Sequence, residues 1–192
     1  MLLTMMRHGL PMRGGGDPAD PALAPEGERQ AAAMASALRS ERVDAIYASP
    51  QSRAMQTAEF VSAELQLPVR VEPGLVEFDY GAPYVHFEDG DPIWERYFAG
   101  DLSAWGTTLQ AFRSRIRTAL GGIAQRHSAE NVLAVCHGGV VNSWACCAMG
   151  QPERVRMLNP DYGSVHRFEF DGEKWRVLSL NESVADLDMH LL

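Results

Sequence analysis

Three short apolar runs, Leu2–Met6, Val43–Ala48 and Asn131–Cys136, constrain this chain more than any other feature. Each reads as a buried strand, and a helical pattern follows each one: Glu26–Ser40, Ser49–Leu65 and Gly139–Met149. Strands alternating with helices predict a three-layer α/β/α sandwich around a mostly parallel sheet. Such a sheet binds ligands beyond the C-terminal ends of its strands. Here those ends carry Arg7-His8, Ser49–Arg53 and His137-Gly138.

The remaining pattern fills in the frame. Gly9–Pro25 reads as a long loop, rich in Gly and Pro. Ser49 and Pro50 look like the N-cap and first residue of their helix. Val69–Val71 is a short strand and Leu109–Arg126 a long helix. Val165–Phe170 and Trp175–Leu180 alternate around Asp171-Gly172 as a hairpin. Residues 1–192 form one domain, with about 72–105 as a lid-like insertion. The apolar edge strands near the C-terminus leave pairing into a homodimer open.

Charge and cysteine content exclude several classes. With 17 Lys plus Arg against 25 Asp plus Glu, the formal charge is −8, a poor match to nucleic acid or an anionic membrane. The three cysteines form no disulfide framework, and no segment resembles a secretion signal or a membrane span, so a cytoplasmic protein is expected. A cysteine phosphatase needs Arg six positions after Cys; those positions hold Asn142 and Pro152. The sequence lacks a Walker-type Gly-Lys loop and a His-Glu-x-x-His metal motif, so neither cofactor nor metal is expected.

The residues at the strand ends suit phosphoryl transfer. A transferring phosphoryl group spreads charge over three oxygens and needs well-placed cationic donors. Arg7 and Arg53 can each grip it in bidentate fashion, and Arg53 falls in the first turn of its helix. A neutral imidazole is a competent nucleophile toward phosphorus, so His8 is the expected nucleophile with His137 as its partner. Gly138 offers a close backbone approach and a free N–H.

On the same residues, the chain resembles the histidine phosphatase superfamily, the phosphoglycerate-mutase-like proteins, on its phosphatase branch. The resemblance rests on Met6-Arg7-His8-Gly9, on Tyr47-Ala-Ser-Pro-Gln-Ser-Arg53-Ala-Met-Gln-Thr57-Ala, and on Val135-Cys-His137-Gly-Gly. Leu23–Ala31 and Leu180-Asn181 extend it along nearly the whole chain. It implies a phosphohistidine at His8, formed without a metal, and a phosphate pocket of Arg7, Arg53, His137 and Gly138. It implies an acid-type phosphatase acting on a small phosphorylated substrate. It also implies a carboxylic acid that protonates the leaving group; within Leu75–Gly81 that acid is Glu77, with Asp79 and Glu88 as competitors. The chain departs from the family at Pro11 and Gly14, where a hydroxyl residue and an Asn are common. Phosphate contacts there fall to the backbone of Gly14–Gly16 or are absent.

Two other functions remain in view: mutase-type phosphoryl transfer, and a non-catalytic binding module on the same fold. Residues 71–105 hold eight acids against one base, Arg96. Such a wall should repel a second phosphate, which favours hydrolysis of a monophosphate with a neutral or cationic remainder. Tyr80, Tyr84, Phe87, Trp94, Tyr97, Phe98 and Trp105 lie in the same stretch. They either shape a pocket or pack the insertion onto the sheet.

Overall fold

The structure, a computed structural model, describes residues 1–184; the expected domain limit at 192 lies outside them. Six strands form one sheet: β1 (Leu2–Arg7), β2 (Ala45–Ala48), β3 (Val69–Val71), β4 (Asn131–Cys136), β5 (Val165–Phe170) and β6 (Trp175–Glu182). Their spatial order is β3-β2-β4-β1-β5-β6. The β3, β2, β4 and β1 strands run parallel, while β5 and β6 add an antiparallel hairpin beside β1. Parallel neighbours require crossovers. Those described here run through α1 (Pro25–Ala37), α2 (Ser52–Leu65) and α4 (Leu109–Arg126), with α5 (Gly138–Ala148) leading on to β5.

Strand side chains alternate between two cores. Leu3, Met5, Tyr47, Ala134 and Cys136 face Phe112, Ile116 and Leu120 of α4 and Val140 and Trp144 of α5. Met6, Ile46, Ala48, Leu133 and Val135 face Met34 of α1 and Ala54, Ala58 and Val61 of α2. A strand buried on both faces reads as a continuous apolar run, which is why β1, β2 and β4 stand out in the sequence. The sandwich expected from the alternating pattern is the one observed.

Several local expectations change. Helix α1 starts at Pro25, whose missing N–H costs nothing at a first position, and it closes with a 3-10 turn, Leu38–Ser40. Ser49 is not the N-cap of α2. That helix starts three residues later at Ser52, whose N–H and hydroxyl both donate to the Asp20 carboxylate, at 2.8 and 2.6 Å. A carboxylate from the Gly9–Pro25 loop meets the helix dipole more favourably than a local hydroxyl. The 72–105 stretch contains one short helix, α3 (Ile93–Phe98), and three 3-10 turns. Its Phe78, Tyr97 and Leu102 are buried in the same core as Phe112, so the insertion is anchored rather than loosely draped. Strand β6 runs two residues past Leu180. Among the described residues, no helix is long and apolar enough to cross a membrane.

The loop after β1 is clamped by a contact between two glycines. A Cβ on Gly27 would lie 2.2 Å from the Leu10 carbonyl, and one on Gly9 would lie 2.3 Å from the Gly27 carbonyl. Backbone cannot yield as a flexible side-chain tip would. Gly27→Ala should therefore destabilise the fold by about 3 kcal/mol, the upper end for overpacking. Urea unfolding checks this, and an unchanged midpoint would show that the loop gives way freely.

Candidate active site

Strand register builds the centre of the site. Arg7 lies opposite Cys136 in the β1–β4 pair, and the His8 N–H donates to the Cys136 carbonyl at 3.0 Å. His8 and His137 therefore leave adjacent parallel strands at the same level. Their rings, both buried, sit 5.1 Å apart. His8 Nδ1 lies 2.7 Å from the Gly9 carbonyl, an acceptor only, so Nδ1 carries the proton. Nε2 is left with a lone pair, and Arg53 Nε donates to it at 3.3 Å. Thr57 ties this turn to α2: its hydroxyl accepts from the Gly9 N–H at 3.1 Å and donates to the Arg53 carbonyl at 2.8 Å. His137 Nε2 meets the Ser49 hydroxyl at 2.8 Å.

The two arginines close around the imidazoles. Arg53, the second residue of α2, is wholly buried, and its Nη2 donates to Asp79 at 3.2 Å. Arg7 donates to the Pro160 carbonyl and lies 3.7 Å over the Tyr162 ring. Arg53 lies 4.7 Å over Tyr84, and the two tyrosine hydroxyls meet at 3.3 Å. Three buried nitrogens here have no hydrogen-bond partner: Arg7 Nε, Arg53 Nη1 and His137 Nδ1. Leaving such groups unpaired is costly, and a tetrahedral oxyanion would satisfy them together. The N-terminus of α5 begins at Gly138 in the same cleft, adding its positive dipole end.

Protonation follows from burial. It lowers the pKa of His8 and of His137 well below the ordinary imidazole value, and the nearby Arg53 lowers both further. The same burial raises Glu77 to about 7, helped by the charge of Asp79. Two backbone donors oppose that rise, Gly139 N–H at 2.6 Å and Phe78 N–H at 3.1 Å. Asp79 is also raised by burial, while Arg53 pulls it down. Near neutral pH the cleft thus holds two neutral imidazoles and a carboxyl close to half-protonation.

The sequence-expected residues Arg7, His8, Arg53, Glu77, His137 and Gly138 all meet in this neighbourhood. Asp79 joins them; Glu88 lies outside, near Arg13. Gly139 has the steric requirement, because a Cβ there would lie 2.4 Å from Glu77 Oε1. At Gly138 the nearest atom would be at 3.5 Å, an ordinary contact. The Gly14–Gly16 segment lines a neighbouring depression with Arg13 and His86, and Tyr84 lines both that depression and the cleft.

The acidic wall is not realised either. Of the eight acids in 71–105, only Glu77 and Asp79 line the cleft, whereas Asp89 pairs with Arg13 and Asp101 with Arg96. A count along the chain misses partners such as Arg13 that arrive from outside the window.

Residues not singled out as site members support the cleft. Ser49 and Thr57 lie inside the matched motif but carried no assigned role. Gln51 orients Glu77, accepting from its N–H at 2.7 Å. Pro160 and Tyr162 support Arg7, and nothing in their local sequence signals that. Among the described residues, no group of three or more His, Cys, Asp or Glu side chains is placed to hold a metal ion.

The profile of the histidine phosphatase superfamily (branch 1) matches residues 3–183. The "Uncharacterized phosphatase PhoE" of Bacillus subtilis is 29% identical over 160 residues, covering 81% of this chain and 79% of that protein. The adenosylcobalamin/alpha-ribazole phosphatase of Escherichia coli is 25% identical over 184 residues, covering 86% and 81%. Among solved structures, a mutant phosphoserine phosphatase of Entamoeba histolytica in complex with phosphoserine superposes with a TM-score of 0.76. It is 20% identical, and the match covers 94% of this chain and 96% of that one.

If the unpaired nitrogens form an oxyanion cradle, inorganic phosphate should bind to it. Arg53→Met removes one charged donor while keeping the stem volume, and should weaken phosphate about tenfold or more. Calorimetric titration measures this directly; an unchanged affinity would take Arg53 out of the cradle.

Proposed function

This chain belongs to the histidine phosphatase superfamily, branch 1, and from that premise we propose that it hydrolyses phosphomonoesters through a phosphohistidine on His8. One observation carries the reading: His8, with a lone pair on Nε2, shares its cleft with three buried nitrogens that make no hydrogen bond, on Arg7, Arg53 and His137. In the first step Nε2 attacks phosphorus, a P–N bond forms and the P–O bond to the leaving group breaks. Arg7, Arg53, His137 Nδ1 and the N-terminus of α5 hold the remaining oxygens as charge builds. Glu77 gives its proton to the departing oxygen. In the second step water attacks the phosphohistidine, returns a proton to Glu77 and releases phosphate.

Glu77 suits this exchange because a pKa of about 7 keeps both of its forms accessible near neutrality. Asp79 competes less well, since its carboxylate is held by Arg53. Hydrolysis is preferred over mutase transfer on a local observation. Past the cradle, among the described residues, the cleft is lined mainly by aromatic rings, with Arg156 as the one further cation rather than a second cluster of phosphate-binding cations. The residues that carry these steps need no metal.

Turnover of p-nitrophenyl phosphate should survive EDTA, and His8→Ala should lower kcat on the order of a thousandfold or more. Acid-stable absence but base-stable presence of label after quenching with a radiolabelled substrate would identify phosphohistidine; a wild type that never labels would refute the intermediate.

The acid form of Glu77 predominates below about pH 7, so kcat/KM on alkyl phosphates should fall as pH rises through that value. Glu77→Gln should remove this limb and cost about a hundredfold on alkyl phosphates, with a smaller loss on p-nitrophenyl phosphate, whose leaving group needs little protonation. Equal losses on both substrates would eliminate Glu77 as the acid.

A further inference from the structure

Arg156 differs from the other cations of the cleft. Arg7 and Arg53 are tied to Pro160 and Asp79. Among the described residues, the Arg156 guanidinium makes no hydrogen bond and no ion pair. Instead it lies 4.4 Å over the ring of Phe98, and it lines the same cleft as His8. A guanidinium held over an aromatic face by cation–π attraction, with no hydrogen bond of its own, has N–H groups available to grip a carboxylate.

Its place relative to the chemistry follows from a row of rings. Phe78, next to Glu77 in the chain, stacks on Tyr97 at 4.8 Å; Tyr97 neighbours Phe98 at 5.7 Å; Phe98 carries Arg156. Phe87 and Trp94 flank this row, with Phe87 edge-on to Trp94 at 5.5 Å and to Phe98 at 6.0 Å. Arg156 is thus joined through Phe98 and Tyr97 to the ring of Phe78, beside Glu77. Among the described residues, the carboxylates that line the cleft are Glu77 and Asp79, and Asp79 is held by Arg53.

We propose that the leaving group of the natural substrate has a flat, apolar body of about one aromatic ring and bears an anionic substituent on its distal side, which Arg156 recognises. This rests on the phosphatase reading above and reverses the charge expected from the sequence. Of the acids that suggested a neutral or cationic remainder, only Glu77 and Asp79 line the cleft, and Arg156 adds a positive charge to its lining beyond Arg7 and Arg53. A short polar leaving group would gain little from an aromatic lining. A flat body offers it stacking and edge contacts and carries the anion outward to the guanidinium.

The test compares three esters: phenyl phosphate, 4-carboxyphenyl phosphate and its neutral isostere 4-carbamoylphenyl phosphate. The wild type should favour the carboxylate over the carboxamide about tenfold in kcat/KM, the scale of one partly exposed charge-assisted hydrogen bond. In Arg156→Gln that ratio should collapse toward one, and Arg156→Lys should retain part of it. Raising the salt concentration should shrink it in the wild type. A wild-type ratio near one, or a ratio unchanged in Arg156→Gln, overturns the assignment.

Binding of (4-carboxybenzyl)phosphonate against (4-carbamoylbenzyl)phosphonate, measured calorimetrically on the same proteins, gives the same discrimination without turnover. Failure of the phosphatase reading shows separately, as no phosphate released from any ester and no label on His8. In that event the phosphonate pair still decides whether Arg156 selects the anion.

Discussion

A guanidinium fully removed from water is the constraint around which this site is organised. Arg53 retains only part of the hydrogen bonding it would have in solvent: Asp79 at 3.2 Å and His8 Nε2 at 3.3 Å, while Nη1 makes no hydrogen bond and meets only the Asp20 carboxylate, at 3.9 Å. Burying a charge with incomplete pairing is unfavourable by several kcal/mol, and the fold tolerates it only because the surroundings are rigid. Thr57 locks the backbone of Arg53 to the turn after β1, and Asp20 fixes the start of α2 one residue before it. Stability is given up locally so that one donor stays aimed at an anion. The cradle is therefore set before any substrate arrives.

The same charge sorts the ionisable groups into working states. Burial alone would keep every group in the cleft neutral. For the imidazoles, Arg53 reinforces burial, so their lone pairs stay available. For Asp79 it opposes burial and favours the carboxylate. The charge of Asp79 then adds to burial at Glu77, lifting that carboxyl to about 7 against the pull of the Gly139 and Phe78 N–H groups. A carboxyl and two imidazoles thus coexist with their neutral forms accessible in the same pH range. Gly139 belongs to this balance: only a residue without Cβ lets the carboxylate approach the N-terminus of α5 so closely.

What the sequence makes legible is whatever depends on local pattern. β1, β2 and β4 are buried on both faces, so their apolar runs are continuous, and the rule that ligands gather at parallel strand ends then locates His8, Arg53 and His137 without further help. Readings failed where a distant partner decides the outcome. Ser49-Pro50 has the local signature of a helix start, yet the Ser49 hydroxyl is drawn to His137 across β4, and Asp20 from another loop takes over the end of α2. The acid count over 71–105 failed for the same reason, since Arg13 comes from a segment far away in the chain. Tyr162 and Arg156 sit in a connection without periodicity, and only tertiary contacts bring them to the cleft.

That connection links the two ends of the cleft. Asn142, one turn into α5, accepts from the N–H groups of Met157 and Leu158 and donates back to the Gly138 carbonyl. Asn181 on β6, with its backbone in the left-handed region, accepts from the Asp161 N–H and donates to the Asp161 carboxylate. Pro160 lies between these two anchors and Tyr162 directly after them, both against Arg7, and immediately before them comes Arg156, over the ring of Phe98. A shift of this segment cannot move one arginine without disturbing the support of the other. On the proposed function, grip on the phosphate and recognition of the leaving group would then belong to one connected segment, and the binding energy of an anion at Arg156 would be expressed as better placement of the phosphoryl group beside His8.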